Sequence, residues 1–408
     1  MQAHALRYRS HTATLNLSLE NTPVPQTRHA MLVDADHDDA ARQQFATGLK
    51  SYLSAIVGNG TKVIYDNRVK PAFRKSTGRI PATRHEVRKA LSTDPYYQAA
   101  SALKRTAQEI MWDAVGGPVE RDWSDLKVRA QRQKWARSTL RLSPDLATPP
   151  YHTAVDIHCM PGGYHSELGP DDLFAGALYD RGIYLFSMGL RGDLNDDFGQ
   201  SLVRWVRHSH PDLAPLRILD MGCSVGHGTL PWAAAYPLAE LHAIDVGAPM
   251  LRYAQARANA LDVTVHFSQQ NAEHTDFADA SFDLIISQII IHETSRRALP
   301  NILRECHRLL KPGGLMVHMD GVDWTGLDPY EAFVPDWDTY FNNEPFIGTL
   351  HDLDLPRLAA QAGFAKGKII FGTACSALRD TENKSREELA VGDFGNVGSF
   401  MVYGGIRD

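Results

Sequence analysis

Arg217-Ile218-Leu219-Asp220-Met221-Gly222-Cys223-Ser224-Val225-Gly226-His227-Gly228-Thr229 reads as a buried strand that ends at Asp220, turns through a glycine-rich loop and enters a helix. Glycine lets such a loop bring its backbone close to a ligand, because it has no Cβ and tolerates unusual φ/ψ angles. The order is Gly-x-x-x-Gly-x-Gly. A pyrophosphate-binding dinucleotide fold would have Gly-x-Gly-x-x-Gly. An acid also stands before the first glycine, where it would oppose a phosphate and favour an ammonium group.

Working outward, Leu241-His242-Ala243-Ile244-Asp245 is a second strand ending in an acid. A carboxylate at that tip can accept from both hydroxyls of a ribose. The next tip carries Gln270-Asn271-Ala272-Glu273, and Leu309-Leu310-Lys311-Pro312-Gly313-Gly314 is a tight turn into a later strand. Strands are expected at 217–221, 240–245, 263–268, 282–287 and 315–319, alternating with helix-length segments. Two more are expected at 368–372 and 399–403, joined by a charged loop containing Asn383 to Glu388. Strands alternating with helices are the mark of a parallel sheet covered by helices.

These motifs together resemble the class I S-adenosylmethionine-dependent methyltransferases, especially their small-molecule branch, over about 190 residues from Arg217 onward. The resemblance implies an α/β fold with a Rossmann-like, seven-stranded, mostly parallel sheet, and S-adenosyl-L-methionine as cofactor. It implies that Asp220 and the loop through Gly222, Ser224 and Gly226 face the methionine part. Asp245 would hold the ribose, Val246 and Met250 would pack on the adenine, and Asn271 and Ala272 would read its edge. Ser287, at the tip of the fourth strand, completes the cofactor-binding set. Ser224 stands where the family usually has a glycine and is expected to keep a negative φ. Asn271 stands where an aspartate is common, and its amide oxygen can accept in the same way.

Methyl transfer from a sulfonium needs alignment, desolvation and, for many acceptors, removal of a proton. His292, in Ile290-Ile291-His292-Glu293, is placed for that proton transfer, with Glu293 to orient it; the alternative is a histidine that only caps the following helix. Arg296 occupies the position that a second zinc-binding histidine would need, so no metal is expected. The strand ending Val317-His318-Met319-Asp320 puts His318 and Asp320 on one face, within expected reach of the acceptor. The catalytic candidates are therefore His292 and Asp320.

The segment from Trp324 to Phe346 holds seven aromatics, and from Gly321 to Leu355 there are eight acids and no Lys or Arg. Aromatic faces beside carboxylates favour an amine-bearing or cationic ligand; an aromatic core under a solvated acidic loop is the alternative. Trp324 and Trp337 are its substrate candidates. Tyr164, His165, Tyr179 and Tyr184 lie in the turn-rich stretch before the sheet, which in similar methyltransferases folds over the cofactor as a lid.

The remaining chain is read from its pattern. Ala41, Phe45, Leu49, Leu53 and Ile56 recur at helical spacing up to Gly58 and Gly60, expected to stop the run. Helices open at Thr83, with the form of a capping box to Glu86, and at Asp94-Pro95, the latter expected to end at Gly116-Gly117. The expected organisation is a mainly helical N-terminal domain (1–142), a turn-rich connecting or lid segment (143–200) and the cofactor-binding domain (201–408) with a substrate-covering insertion (321–350).

With 408 residues, 43% hydrophobic and 22% charged, the chain is neither disordered, collagen-like nor coiled coil. No apolar stretch is long enough to span a bilayer. Residues 1–20 show no signal-peptide core, and four scattered cysteines suit a reducing cytoplasm. Between Lys62 and Arg141 stand 18 Lys/Arg against 8 Asp/Glu, in a chain of net charge −6. That basic region is expected to act as a lid or as a subunit contact, as in a homodimer, rather than as a nucleic-acid grip, since no RNA-binding motif accompanies it. The expected function is methyl transfer to a small-molecule substrate, in a pocket roofed by the N-terminal region and the insertion. The alternatives are cyclisation or lysis of the cofactor, and RNA or protein methylation through the basic region.

Overall fold

The computed structural model describes residues 25–133, 137–321, 323–324, 326–378 and 398–408. The strands are β1 (Thr139–Arg141), β2 (Arg217–Met221), β3 (Glu240–Asp245), β4 (His266–Gln269), β5 (Phe282–Gln288), β6 (Leu310–Asp320), β7 (Ile369–Cys375) and β8 (Ser399–Ile406). They form one sheet in the order β1-β4-β3-β2-β5-β6-β8-β7, parallel except that β8 runs antiparallel to both β6 and β7. The helices Asp197–Ser209, Leu230–Ala235 and Ala248–Ala260 cover one face. Ala298–Leu309 and Leu355–Ala362 cover the other. Burial on both sides is why the middles of these strands are apolar, Ile218-Leu219 in β2 and Leu284-Ile285-Ile286 in β5. Chain order reverses between β2 and β5, which opens a crevice beyond their carboxyl ends.

The sheet has eight strands where seven are expected. The extra one, β1, has three residues, too few to show an alternating pattern. Tertiary bonds hold it instead: Ser138 N donates to Asn259 Oδ1 (2.9 Å) and Ser138 Oγ to Val263 O (2.8 Å). The charged loop with Asn383 to Glu388 lies outside the described residues.

Gly58 and Gly60 do not stop the first helix. It continues from His37 to Thr77 through π-helical turns at Leu53–Gly58 and Tyr65–Val69. Gly60 serves close packing: a Cβ there would stand 1.8 Å from the Tyr96 hydroxyl. The helix ends at Gly78, whose φ of 77° is left-handed. At Thr83 only half of the capping box forms. Thr83 Oγ1 accepts from Glu86 N, but Glu86 turns to Ala82 N and Arg79. The helix Pro95–Arg121 runs through Gly116-Gly117, because burial of Trp112, Val115 and Val119 outweighs the roughly 1 kcal/mol a glycine costs.

The N-terminal helices pack on the insertion. Tyr65, Val87, Leu91 and Tyr97 share a core with Tyr330, Phe333 and Trp337 of the helix Pro329–Phe341. Around it Arg84 and Arg88 pair with Asp336, Arg84 with Asp352 (2.8 Å), and Lys104 with Asp338 (3.1 Å). Lys62, Arg84, Arg88 and Lys104 also lie over the rings of Tyr330, Trp324, Tyr340 and Trp337. The cations facing the acidic aromatic insertion thus come from the chain's own basic region. No helix among the described residues is long and apolar enough to cross a membrane.

Candidate active site

The crevice is a cleft of about 1840 Å3, including its mouth. Its floor is the strand tips, and its roof is the segment from Tyr151 to Phe198 and the insertion. Among the described residues no lining residue precedes Tyr151, so the N-terminal helices back the roof rather than form it, a correction to the expected pocket.

At one end the glycine loop bends around the β2 tip. Gly222 N and Cys223 N both donate to Ile244 O, and Gly226 N donates to Cys223 O. Gly222 (φ 75°) cannot carry a side chain, since a Cβ would meet Ile290 at 1.9 Å; at Gly228 it would meet Gln288 Oε1 at 1.7 Å. Ser224 adopts φ 50°, against the expected negative angle. The loop closes so tightly that serine takes the glycine-like conformation, and Ser224 N is thereby aimed at Asp245 Oδ2 (2.9 Å). Gly247 N donates to Asp245 Oδ1 (2.8 Å), which leaves further lone pairs on the carboxylate. Burial pushes the Asp220 carboxyl up to about 7, opposed by a hydrogen bond from Thr229 Oγ1 (2.6 Å) and assisted by the charge on Asp245.

Asp220, Gly222, Ser224, Asp245, Val246, Met250, Asn271 and Ala272 all line the cleft. Asn271 Oδ1 also accepts from Glu273 N (2.9 Å), an Asx turn that orients the amide. Gly226 lies behind the lining. Ser287 is sealed in the sheet, with Oγ 2.6 Å from His318 Nδ1.

His227, between two loop glycines, lines the same end, although no motif singles it out. Its Nε2 lies 2.8 Å from Asp180 Oδ1. Asp180 is fully buried and also meets Tyr253 OH (2.7 Å), His29 Nε2 (3.1 Å) and Arg257 Nε (3.5 Å). Despite burial, Arg257, His227 and His29 hold the Asp180 carboxyl well below its usual range. Burial and Arg257 push the His227 imidazole down to about 4.

At the other end stands His292, on the turn after β5. Its Nδ1 lies 2.5 Å from Asp320 Oδ1, at the tip of β6. Its Nε2 has no hydrogen-bond partner among the described residues, and Glu344 Oε2 is 3.8 Å away. Burial pushes the imidazole down, but Asp320, Glu293 and Glu344 prevail and raise it to about 9. Asp320 does not line the cleft; it stands behind His292. Tyr164, Tyr179 and Trp324 do line it.

Four residues named from the sequence lie elsewhere. His318 shares a face with Asp320 but sits deeper in β6, between Ser287 and Cys306 Sγ (3.9 Å), and burial pushes it down to about 4. Trp337 faces the N-terminal helices, its indole N–H donating to Ser101 Oγ (2.9 Å). His165 packs beside His152 and Tyr184 under Arg181, both outside the lining. His158 and Glu344, which no motif announced, are in the cleft, Nδ1 to Oε1 3.1 Å apart. The described residues hold no group of three or more His, Cys, Asp or Glu suited to a metal ion.

Residues 218–314 match the family model described as a methyltransferase domain. A malonyl-[acyl-carrier protein] O-methyltransferase of Methylococcus capsulatus is 36% identical over 121 residues, which is 30% of this chain and 42% of that protein. The chain thus spans less than half of that relative. A demethylmenaquinone methyltransferase of Thermus thermophilus is 31% identical over 157 residues, covering 38% of this chain and 68% of the relative. A solved phosphoethanolamine N-methyltransferase 2 of Haemonchus contortus superposes with a TM-score of 0.39 at 19% identity, over 56% of this chain and 57% of that one. By the family model and the sequence relatives, the chain belongs to the class I S-adenosylmethionine-dependent methyltransferase family.

Proposed function

We propose that the chain transfers a methyl group from S-adenosylmethionine to a small molecule whose accepting atom gives up a proton, with His292 as the base. The observation that carries this is the His292 imidazole, fixed at Nδ1 by Asp320 and, among the described residues, without a hydrogen-bond partner at Nε2 within the cleft. The glycine-loop end suits the cofactor, because Asp220, Ser224 and Asp245 line the cleft there beside Gly222 and Gly228, whose missing side chains let the loop pack closely on Ile290 and Gln288. Asp220 would draw the ammonium group and Asp245 would accept from the ribose hydroxyls. Val246 and Met250 would pack on the adenine, beside Asn271 and Ala272. When bound, S-adenosylmethionine supplies an electrophilic methyl on a sulfonium. His292 takes the proton from the accepting atom as that atom's electron pair turns to the methyl, and Asp320 steadies the imidazolium.

The preference for a cationic acceptor loses its footing, since Asp336 and Asp338 are occupied by Arg84, Arg88 and Lys104. At least ten of the 18 basic residues between Lys62 and Arg141 are engaged in ion pairs, which also weakens the case for an RNA partner. The relative named for demethylmenaquinone supports an acceptor of metabolite size.

The test is incubation of the purified protein and cofactor with nuclease-treated, protein-free cell extract, read by mass spectrometry. A metabolite gaining one methyl, with adenosylhomocysteine formed only when extract is present, is the expected result. Cofactor breakdown without extract would replace methyl transfer by cyclisation or lysis.

A further inference from the structure

His158 has a backbone that a histidine seldom adopts: φ is 55°, and Cys159 beside it is at 58°. Such strain persists only where the surroundings over-determine it. Here two buried donors from the helix Pro95–Arg121 grip the His158 carbonyl, Trp112 Nε1 at 2.7 Å and Gln108 Nε2 at 2.9 Å. The ring is thereby held in the cleft between two acids. Nδ1 meets Glu344 Oε1 at 3.1 Å, and Nε2 meets Glu293 Oε1 at 3.4 Å. Glu344 in turn faces His292 Nε2 with its other oxygen, at 3.8 Å.

Two details set this chain of groups apart from a static ion-pair cluster. His158 Nδ1 has a partner in either protonation state. Glu344 accepts its proton when present, and Asn342 Nδ2 at 2.8 Å can donate to it when absent. Side-chain exposure also rises along the row, from 3% at His292 through 7% at Glu344 and 9% at His158 to 15% at Glu293.

We infer that Glu344 and His158 form a proton relay, carrying the proton that His292 removes from the acceptor out to Glu293 at the cleft surface. The inference rests on the assignment of His292 as base. The acceptor–H bond breaks as the acceptor's electron pair bonds to the methyl, the electrons of the methyl–sulfur bond would pass to sulfur in the departing thioether, and the proton binds His292 Nε2. As Glu344 gains an O–H, Nε2 loses its N–H. Once rotation of its carboxyl turns that O–H toward His158, Glu344 yields the proton to Nδ1 of a neutral His158, while His158 Nε2 releases its own toward Glu293. No electrons are exchanged. Glu344 comes from the insertion and His158 from the segment before the sheet, so the relay exists only while both roof segments cover the strand tips.

The other titratable groups around the row are Asp320, bonded to His292, His351, coupled to His292 only electrostatically, and Tyr164, whose hydroxyl donates to Glu293 at 3.3 Å. Burial lowers both imidazoles and the carboxylates overcome it, leaving His158 at about 10 and His292 at about 9. Turnover should therefore climb from pH 7 to 9.

The test compares Glu344→Gln and His158→Asn with His292→Asn; asparagine tolerates the left-handed backbone at position 158 but cannot titrate. Imidazole NMR titrations of the full-length protein without ligand come first: Glu344→Gln should lower the His292 and His158 midpoints together. With the acceptor isolated by methyl uptake, both relay variants should lose about tenfold in kcat even at pH 9. Added imidazole should restore part of it in His158→Asn, and calorimetric affinity for the cofactor should not change. If the midpoints stay put, or if both variants reach wild-type kcat at pH 9, the relay is wrong; a loss that imidazole cannot rescue also overturns it, as purely structural. If His292→Asn itself keeps wild-type kcat, the base assignment fails instead.

Discussion

At the glycine-loop end of the cleft, Asp220, Gly222, Ser224 and Asp245 stand at the tips of two neighbouring parallel strands, between positions 220 and 245. At the histidine end, His158, His292, Asp320 and Glu344 arrive from four separate segments between positions 158 and 344. The first end is set by strand register and a short loop, both local properties of the sequence. The second exists only through long-range packing of the roof on the N-terminal helices. The two ends should accordingly fail in different ways when perturbed.

The sharpest division is expected from His292→Asn. Loss of a positioned base costs roughly 10²- to 10⁴-fold in rate. The variant should show that fall in kcat while its calorimetric affinity for S-adenosylmethionine stays at the wild-type value. An equal fall in affinity would mean that the two ends are one site. The same groups leave a mark on folding. Their folded pKa values are raised, so their stabilising contribution is complete below about pH 6.5 and is lost as pH rises through 9 and 10. Thermal melts of the wild type should fall across that window, and those of His292→Asn should fall less.

Asp245→Asn is the converse and the next largest. Hydrogen bonds to a charged group contribute about 1.5–3 kcal/mol, so losing the carboxylate should weaken cofactor binding roughly 100-fold. At saturating cofactor, kcat should stay within a few-fold of wild type. A large fall in kcat at saturation would break the division from the other side.

The difference between the ends also governs what is legible in the sequence. The glycine spacing, the acids closing β2 and β3 and the apolar strands lie in short contiguous stretches, and eight of the ten residues expected there line the cleft. Ser287 and His318 depart from expectation because alternation gives the face of a strand but not the depth along it. Trp337 departs from it because the N-terminal helices that claim it are more than two hundred residues away in sequence. His158 and Glu344 have no motif, and only the packing of Trp112 and Gln108 brings His158 into position. The docking of the roof does leave a trace in composition. A basic region in the same chain as an acidic insertion free of Lys and Arg has its counter-charges at hand, which is the pairing that Arg84, Arg88 and Lys104 make.

A smaller effect is expected from His227→Gln. It removes the contact with buried Asp180 while keeping a polar side chain between the two loop glycines. Cofactor KM should rise about tenfold and the acceptor KM should not move, which would tie the Asp180 cluster to the glycine-loop end alone. Equal rises in both constants would show that the cluster braces the whole cleft.

The smallest effect probes the histidine end from outside the cleft. Arg84 touches no lining atom by hydrogen bond, yet it holds Gly348 O at 2.7 Å and Asp352 at 2.8 Å, and its guanidinium lies 5.3 Å from the Trp324 ring centroid. Arg84→Gln leaves Asp336 its pairing with Arg88, so the insertion should stay folded but sit less firmly. A partly exposed pair of this kind is worth about 1 kcal/mol, or roughly fivefold in an equilibrium constant. That loss should appear in the acceptor KM, since Trp324 and Ile347 of the loosened segment line that part of the cleft. Cofactor affinity should be untouched, because the glycine loop shares no element with the insertion. Raising ionic strength should reproduce the effect in the wild type and add little in the variant, as the Asp352 carboxylate is partly exposed and open to screening. A change confined to cofactor affinity would mean that the insertion covers the wrong end.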